Sequence, residues 1–344
     1  MKNKLFVVLF ILLGMIVAAC SSTDSGGETS TNDNEAAESG DVITIKVGHI
    51  APPEHSYTKG LEAFAEAVEE RTDGRVKFEI FGDGQLGGER EIIEQVQLGS
   101  LDLTVVTAGP LGSFVPQFSV LEMPFLFEDV EHAYEVLDGE IGQELMEMID
   151  QQAGVKTLGI WENGMRHVVN NKHAVHSPDD MKGLVMRTVE NDLYLETYKA
   201  LGADPTPIAF PEAYTSVQQG VVDGQDLSYG VMVTTKMYEV QNYLTENMLY
   251  YAAAPLFMNQ DTYNNLPEDT QEIFVDAGKE FTQVQREINQ SMEEEQKQFL
   301  IDEGIEIYEP SEEEMEAFRE AVEPVYEKLS DQFGDMVERI QNYR

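Results

Sequence analysis

Two arginines occupy sequence positions that could give them a chemical role. Arg166 and Arg187 each lie at the edge of a predicted strand among apolar neighbours, in the stretches WENGMRHVV and GLVMRTV. A guanidinium offers a planar fork that matches a carboxylate in two parallel hydrogen bonds. In a strongly acidic chain, such an arginine would be a local positive site for an anionic ligand. An internal ion pair is the alternative role, and it weighs more heavily for Arg166.

Patterns that would indicate catalysis or metal binding do not occur in the sequence. It has no G-x-S-x-G, H-E-x-x-H or Walker A pattern. His173 and His176 are three residues apart, but they lie in a predicted loop without a cysteine. We therefore expect no metal site, no cofactor and no enzymatic activity.

One glycine pattern needs a separate interpretation. Gly82, Gly84 and Gly87 spell G-x-G-x-x-G between a predicted strand and a predicted helix, which is the setting of a dinucleotide-binding fingerprint. The pattern follows the second predicted strand rather than the first, and the N-terminus predicts export, away from nicotinamide cofactors. We therefore interpret these glycines as a tight turn that leads into a helix.

The N-terminal residues predict export and a lipid anchor. Lys2 and Lys4 precede an apolar run, residues 5–19, which is shorter than the roughly 20 residues that a membrane-spanning helix needs and is typical of a secretory signal. Val-Ala-Ala stands directly before Cys20, the only cysteine, and is similar to the lipobox of bacterial lipoproteins. Residues 1–20 are thus predicted to be a lipoprotein signal peptide that ends at a lipidated Cys20, on the outer face of the cell membrane. A plain signal peptide is the alternative.

The amino-acid composition excludes one class of partner and indicates where the folded region begins. Residues 21–41 contain no aromatic residue and almost nothing apolar, so they are predicted to be a disordered tether. The chain has 64 acidic and 22 basic residues, a net charge of −42. Nucleic acid is excluded as a partner because phosphate binding needs clustered lysine and arginine. We interpret the acidity as an aid to solubility.

Elements that would position the arginines follow from hydrophobic periodicity. From residue 43 onward, strands and helices alternate, which predicts a parallel sheet with helices on its faces. The same alternation restarts near residue 165, so the chain is predicted to form two α/β lobes. Predicted strands of the first lobe are 43–50, 75–81, 101–106 and 155–161, with helices at 89–99 and about 130–153. The predicted strands of the second lobe are HVVNN, LVMRTV and VVDGQDL, and its predicted helices are 191–201 and 211–219.

The last quarter of the chain is predicted to be mostly helical. Residues 268–302 show a long amphipathic pattern, and a helix of this length would span roughly 52 Å. Such a helix suits an element that bridges two lobes. Residues 311–341 are predicted to be helical as well, with a break or kink at Pro324.

Along residues 43–330 the chain resembles the solute receptors of tripartite ATP-independent periplasmic (TRAP) transporters. Their first lobe is similar to KVGHIAPPEHSYTKGLEAFAEAVEERTDGRVKFEIFGDGQLGGEREIIEQVQLGSLDLT. The strand that bears their ligand-binding arginine is similar to SPDDMKGLVMR, and the stretch after it to ALGADPTPIAFPEAYTSVQQGVVDGQD. The stretches MYEVQNYLTEN and LPEDTQEIF extend the resemblance.

The resemblance implies a fold and a function. The fold would be α/β, with two periplasmic-binding-protein-like lobes and a long helix spanning the hinge. Residues 42–164 plus 253–292 would form the first lobe, and residues 165–252 plus 293–344 the second. The protein would capture a monocarboxylate, dicarboxylate or sugar acid and deliver it to the permease subunits in the membrane. A lipid-anchored ligand sensor and the receptor of an ATP-driven (ABC-type) importer are the alternatives.

The same resemblance implies roles for individual residues. Arg187 matches the arginine that clamps the ligand carboxylate, and Arg166 matches a second, supporting arginine. Phe210 matches an aromatic residue that lines the pocket, and Thr107 lies at a first-lobe position that faces it. Gln225, in the motif that follows, is also an expected ligand contact.

Two residues depart from the family pattern. Leu227 stands where family members usually have an asparagine that helps to hold the carboxylate, and Met248 stands where a histidine is common. Both changes replace a polar group with apolar surface, and Leu227 would line the pocket. We therefore expect a ligand less polar than a typical dicarboxylate, such as a branched or aromatic carboxylate.

Overall fold

The computed structural model describes residues 42–343, apart from the side chain of Ser330. The strands in these residues are β1 (Ile43–Gly48), β2 (Val76–Phe81), β3 (Leu103–Val105), β4 (Val155–Asn170), β5 (Val185–Thr188), β6 (Asp204–Pro207), β7 (Gly224–Leu227), β8 (Tyr243–Asn259) and β9 (Glu306–Tyr308). The helices are α1 (Ser56–Arg71), α2 (Glu89–Gln97), α3 (Ala108–Leu111), α4 (Val130–Asp138), α5 (Glu140–Ile149), α6 (Asp192–Ala200), α7 (Ala213–Gln218), α8 (Tyr229–Thr234), α9 (Gln260–Asn265), α10 (Glu268–Asp302), α11 (Glu312–Phe333) and α12 (Met336–Gln341). Short helical turns lie at Pro116–Glu122, Asp150–Gly154, Pro178–Met181, Phe210–Glu212 and Met237–Glu239.

One mixed sheet connects the two halves of the fold. Its strand order is β2-β1-β3-β8-β4-β7-β5-β6, and β9 pairs with β8. Strand β1 is parallel to β2 and β3, and β5 is parallel to β6 and β7. We call β1–β3 the first strand group and β5–β7 the second strand group. The predicted parallel sheet is correct within each group and wrong between them, because β8 and β4 join the groups through antiparallel pairs.

The two connecting strands are unusually long. Strand β4 has 16 residues and β8 has 17, and they pair along most of their lengths. Strand β4 combines the separately predicted strands 155–161 and HVVNN, whereas β8 was not predicted from periodicity. Their register shifts between Glu162 and Gly164, where Gly164 adopts a left-handed φ of 83°. Such irregularities bend a strand, and they lie here between the two strand groups.

Helix α10 confirms the predicted helix at 268–302 and is fixed to β4 by a buried polar cluster. The Glu162 side chain is fully buried, and its carboxylate accepts hydrogen bonds from Asn289 Nδ2 (3.0 Å) and Gln290 Nε2 (2.8 Å) of α10. It also accepts one from Tyr251 Oη (3.1 Å) of β8. Because buried polar groups need partners, this cluster holds the long helix against both connecting strands.

Two helical predictions need correction. The helix predicted at about 130–153 is two helices, because Gly139 adopts an extended backbone that ends α4 and precedes α5. The break predicted at Pro324 does not occur there, since α11 continues through this residue to Phe333. The helical stretch is interrupted instead at Gly334, whose φ of 57° lies in the left-handed region.

The predicted signal peptide, the tether and Cys20 lie outside the described residues. Within residues 42–343, no helix is both long and apolar enough to cross a bilayer.

Candidate functional site

A small cavity lies where the parallel strands of both groups end. It is lined by residues that follow the carboxyl ends of β1, β2, β3 and β6, and by residues of β4, β5, β7 and α8. In open α/β sheets, ligands bind outside the carboxyl ends of parallel strands. The cavity volume is about 30 Å³, which is room for about two water molecules. In this conformation, therefore, a bound group would lie close to every wall.

Arg187 is a buried charge of this cavity without an ion-pair partner among the described residues. Its side chain on β5 is 3% exposed, and its Nε donates to the Ile208 carbonyl oxygen at 2.8 Å. The guanidinium lies 5.5 Å from the centre of the Phe210 ring. Among the described residues, no carboxylate lies within 4.0 Å of it. Burial, and then the nearby positive charge of Arg166, lower the pKa of Arg187 to about 10, so it stays charged at neutral pH.

Arg166 has an internal partner, which was the alternative interpretation of this residue. Its Nε lies 2.5 Å from Asp226 Oδ2, and its Nη2 donates to the Asp226 carbonyl oxygen at 2.7 Å. Tyr198 Oη donates to the other carboxylate oxygen at 2.7 Å. Burial opposes the charge on Arg166, but Asp226 raises its pKa above the ordinary value. Arg166 also lines the cavity, so the pair forms a neutral part of the wall.

Three further residues from the sequence prediction come together here. Phe210, Thr107 and Leu227 all line the cavity with the two arginines. Phe210 begins the helical turn after β6, Thr107 follows β3 and precedes α3, and Leu227 ends β7. Each is placed by a strand end, and each was expected at the ligand site from the resemblance to TRAP receptors.

Two residues are not brought to the cavity. Gln225 is fully buried on β7, where its Nε2 faces Gln241 Oε1 at 3.2 Å and Met237 Sδ at 3.5 Å. Met248 is 41% exposed, and its backbone N–H donates to His167 Nδ1. The structure therefore does not bring Gln225 into the site, and only Leu227 of the two unusual residues adds apolar surface to it.

Sequence reasoning missed a carboxylate in the cavity wall. Glu89, the first residue of α2, is 8% exposed and lines the cavity together with Arg187. Its Oε1 accepts from the Thr107 backbone N–H at 2.6 Å and from Thr107 Oγ1 at 3.0 Å. Burial raises the pKa of Glu89, although the bonds from Thr107 and the charges of both arginines oppose this rise. The signal for Glu89 was its place directly after the glycine turn that ends β2.

Two aromatic side chains after β1 were also missed. His55 Nδ1 accepts from the Tyr57 backbone N–H at 3.1 Å, and burial lowers the pKa of His55 to about 4. The ring is therefore neutral at pH 7, with its proton on Nε2, and can donate a hydrogen bond. The Tyr57 hydroxyl is buried and without a hydrogen-bond partner in residues 42–343. Both side chains line the cavity, but His55 also forms a hydrogen bond with the Asn163 side chain, so of these two groups the Tyr57 hydroxyl is the one left without a partner.

The glycine pattern makes a turn, as predicted. Gly84 and Gly87 adopt left-handed φ values of 65° and 109°, and a Cβ on Gly82 would lie 2.9 Å from the His49 ring. These glycines place the start of α2, and hence Glu89, at the cavity.

No metal site is formed by the described residues. Residues 42–343 contain no group of three or more histidine, aspartate or glutamate side chains positioned to hold an ion.

Comparison with known proteins identifies relatives along most of the folded region. The family model described as bacterial extracellular solute-binding protein, family 7, matches residues 47–332. A solute-binding protein of Verminephrobacter eiseniae is 44% identical over 226 residues, which cover 66% of this chain and 67% of the relative.

Solved structures agree with this family match. A TRAP periplasmic solute-binding protein from Polaromonas sp. JS666, bound to D-erythronate, superposes with a TM-score of 0.85 at 38% identity, covering 88% of this chain and 99% of that chain. Another, from Bordetella bronchiseptica with bound density assigned to pantoate, gives a TM-score of 0.84 at 35% identity and the same coverage. They confirm the predicted two-lobed α/β fold class. By this match and these relatives, the chain belongs to the bacterial extracellular solute-binding proteins of family 7, as the resemblance to TRAP receptors predicted.

Proposed function

We propose that this protein is the extracytoplasmic receptor of a TRAP transporter, which captures a small organic carboxylate and delivers it to the membrane permease. The observation that carries the proposal is Arg187, a buried guanidinium at a cavity with no carboxylate of residues 42–343 within 4.0 Å. A buried charge without a partner is unfavourable, so this site suits an anion that comes from outside. The solved relatives that hold D-erythronate and pantoate, each with one carboxylate, support this ligand class.

Binding in this proposal requires the walls of the site to move. A cavity of about 30 Å³ is smaller than a carboxylic acid of four carbons, so the ligand enters when the two strand groups separate and is enclosed when they close. Closure removes water, which strengthens the pair between Arg187 and the ligand carboxylate. No bond is made or broken in this role, so we propose a binding protein and not an enzyme.

The apolar part of the cavity wall suggests the rest of the ligand. Phe210, Leu227, Val189 and Val231 present apolar surface to the cavity. We propose a ligand whose carboxylate binds Arg187 and whose carbon skeleton contacts this surface, as a short branched acid would. A panel in which only short dicarboxylates bind would contradict this part of the proposal.

Thermal unfolding of the full-length chain tests the receptor function. A ligand at 100 times its dissociation constant stabilises the folded state by about 2.7 kcal/mol, which corresponds to a rise in the unfolding midpoint of roughly 4 °C for a folded region of about 300 residues. We expect such a rise with at least one small carboxylate from a panel of organic acids and sugar acids. The uncharged alcohol that corresponds to the same acid, used as the control, is expected to give no rise. A rise with neutral or cationic compounds alone would contradict the assignment of Arg187.

We also propose the division and attachment inferred from the sequence. The lobes would be residues 42–164 plus 253–292 and residues 165–252 plus 293–344, and a more compact chain in small-angle scattering with ligand would support their closure. Residues 21–41 would form the tether, and Cys20 would carry the lipid. Substitution of Cys20 by serine is expected to move the protein from the membrane fraction to the medium or periplasm. Persistence of the variant in the membrane fraction would argue against a lipid on this residue.

A further inference from the structure

Glu122 is a buried carboxyl group that the ligand site described above does not use. It ends the helical turn Pro116–Glu122 and is fully buried. One of its oxygens accepts from the Tyr194 hydroxyl, whereas Oε1 has no hydrogen-bond partner among residues 42–343. No lysine, arginine or histidine of these residues lies within 4.0 Å of the carboxyl group. Such surroundings disfavour the ionised form of a carboxyl group relative to the protonated form.

The burial of Glu122 depends on a contact between the two halves of the fold. Glu122 lies in the segment that follows β3 of the first strand group, whereas Tyr194 lies on α6, which follows β5 of the second strand group. The same two segments also meet at Asn191, whose Nδ2 donates to the Gly109 carbonyl oxygen at 2.8 Å and faces Ser119 Oγ at 3.1 Å. Separation of the strand groups, as proposed for ligand entry, would therefore open this contact and admit water to Glu122.

The charges around Glu122 leave no positive charge to balance it. The titratable and charged groups that face it are Tyr57 on α1, Glu89 on α2, Arg166 on β4, Tyr194 on α6, Asp226 on β7 and Tyr250 on β8. The three tyrosines stay neutral, because burial raises the pKa of each well above its ordinary value. Arg166 and Asp226 neutralise each other. A ligand carboxylate would thus add negative charge to a region where an ionised Glu122 is already in excess.

We propose that closure around a carboxylate places a proton on Glu122, so that the protein binds its ligand more tightly as the pH falls. The inference rests on the proposed function, because it assumes an anionic ligand that is enclosed when the strand groups close. In the open protein, water would reach Glu122 and its pKa would lie near the ordinary value of 4.5. In the closed structure, burial raises the pKa to about 7, and the negative charge of the ligand would raise it further.

The affinity for the ligand should depend on pH in one direction. Because Glu122 holds the proton more tightly in the closed, liganded protein than in the open protein, proton binding and ligand binding favour each other. The gain in affinity is fully present below the open-state pKa and is lost as the pH rises through the closed-state pKa, which is about 7 without ligand. Arg187 has a pKa of about 10 and stays charged over this range.

Calorimetry on the full-length chain measures the proton directly. The probes are D-erythronate and pantoate, which the solved relatives hold, together with the other acids of the thermal unfolding panel. Each titration is run in phosphate and in Tris, because these buffers differ in their enthalpy of ionisation and the difference in binding enthalpy gives the number of protons taken up. At about pH 7 we expect uptake of about half a proton or more per bound ligand. We also expect binding to be at least about tenfold tighter at about pH 6 than at about pH 8.5, since a difference of about one unit in pKa between two states changes the affinity tenfold.

Two substitutions assign the proton to Glu122. Glu122→Gln keeps an oxygen that accepts from Tyr194 but cannot titrate. It is expected to abolish the proton uptake and to bind equally well across the pH range, with an affinity close to that of the unsubstituted chain at low pH. Tyr194→Phe removes the hydrogen bond that favours the ionised carboxylate, so the pH at which the affinity falls is expected to rise. A carboxyl group with a purely structural role would not move this pH profile in opposite ways.

A matched control lies on the protein surface. Glu239 is an exposed glutamate that accepts a hydrogen bond from the Tyr214 hydroxyl at 2.8 Å. Glu239→Gln changes the net charge by the same amount as Glu122→Gln and alters the same kind of hydrogen bond. It is expected to leave both the proton uptake and the pH profile unchanged, which separates a buried, local effect from the overall charge.

The outcomes distinguish the inference from the function on which it rests. Equal binding enthalpies in the two buffers, with tight binding of a carboxylate, would mean that no proton is taken up and would overturn the inference. Proton uptake that persists in Glu122→Gln would place the proton on another group, such as Glu89, and the inference would be wrong. If Glu122→Gln does not fold, an unchanged pH profile in Tyr194→Phe overturns the inference in its place. If no carboxylate of the panel binds, the proposed function fails and the inference fails with it.

Discussion

Replacing Arg187 with alanine is expected to weaken carboxylate binding by about 2–5 kcal/mol, the range for removing one member of a buried charge pair. This corresponds to roughly a 30-fold to several-thousand-fold rise in the dissociation constant. The expected effect is large because the guanidinium is buried, lies over the Phe210 ring and is oriented by the Ile208 carbonyl oxygen. Calorimetry with the carboxylate that stabilises the unsubstituted chain would measure it.

The stability of the ligand-free protein should respond differently. Because no carboxylate of residues 42–343 lies within 4.0 Å of Arg187, its removal breaks no internal ion pair and relieves a buried charge, which offsets the loss of its hydrogen bond to Ile208 and its contact with Phe210. We therefore expect Arg187→Ala to unfold, without ligand, at nearly the same denaturant concentration as the parent. Loss of binding without loss of stability would identify a binding residue.

Two further variants sharpen the test. Arg187→Lys keeps the charge but loses the planar fork, so we expect an affinity between those of the parent and the alanine variant. Arg319 lies on the surface of α11, where it pairs with Glu312, and Arg319→Ala is expected to bind normally. Normal binding by Arg187→Ala itself would mean that the carboxylate is held elsewhere.

The sequence was sufficient to find the arginines because their signal is local. A charged residue inside an apolar strand, as in GLVMRTV, is unusual wherever the strand lies in the fold. Phe210, Thr107 and Leu227 were predicted only through the resemblance to TRAP receptors, and in the structure each lies at or just after a strand end that borders the cavity. Local pattern thus gave two residues of the cavity, and the family resemblance gave three more.

Glu89 could not be distinguished in the same way. The sequence has 64 acidic residues, and a glutamate at the start of a helix is favoured by the helix dipole in any protein. Only the contact with Thr107, 18 positions away, turns this glutamate toward the cavity. Gln225 shows the opposite error: it was expected at the ligand site but lies away from it. The strand that carries Gln225 was predicted, but its contact with Gln241 was not.

The connecting strand β8 was missed for a physical reason. Its centre reads YYAAAPLF, in which alanine favours helix and proline is rare within strands. Pairing with β4 on one side and β3 on the other overrides these local preferences. The antiparallel middle of the sheet, and with it the junction between the two strand groups, therefore depends on contacts between distant residues.

Replacing Asp226 with asparagine is expected to destabilise the folded protein by about 3–5 kcal/mol, the range for removing one partner of a buried ion pair. Asp226 is 1% exposed and Arg166 is 6% exposed, so water cannot replace the lost charge. Asparagine retains an oxygen that accepts from Tyr198, so the expected loss comes from the charge and not from this hydrogen bond. Urea denaturation at equilibrium would measure it.

An exposed pair provides the control. Asp179 pairs with Lys182 at the surface, where both side chains are more than half exposed. Exposed ion pairs contribute little because water screens them, so Asp179→Asn should leave the midpoint of unfolding unchanged. Equal midpoints for both asparagine variants would contradict a buried, charge-dependent role for Asp226.

The double variant Arg166→Met/Asp226→Leu tests why Asp226→Asn is expected to destabilise the folded protein. If the cost is that of leaving Arg166 charged without its partner, removing both charges should restore most of the lost stability, because apolar side chains can replace a buried ion pair. Glu122 is another acidic side chain near Arg166, but burial raises the pKa of Glu122 to about 7 and its carboxylate accepts from Tyr194. It therefore substitutes poorly for Asp226. A double variant less stable than Asp226→Asn would show instead that the pair itself stabilises the junction between β4 and β7.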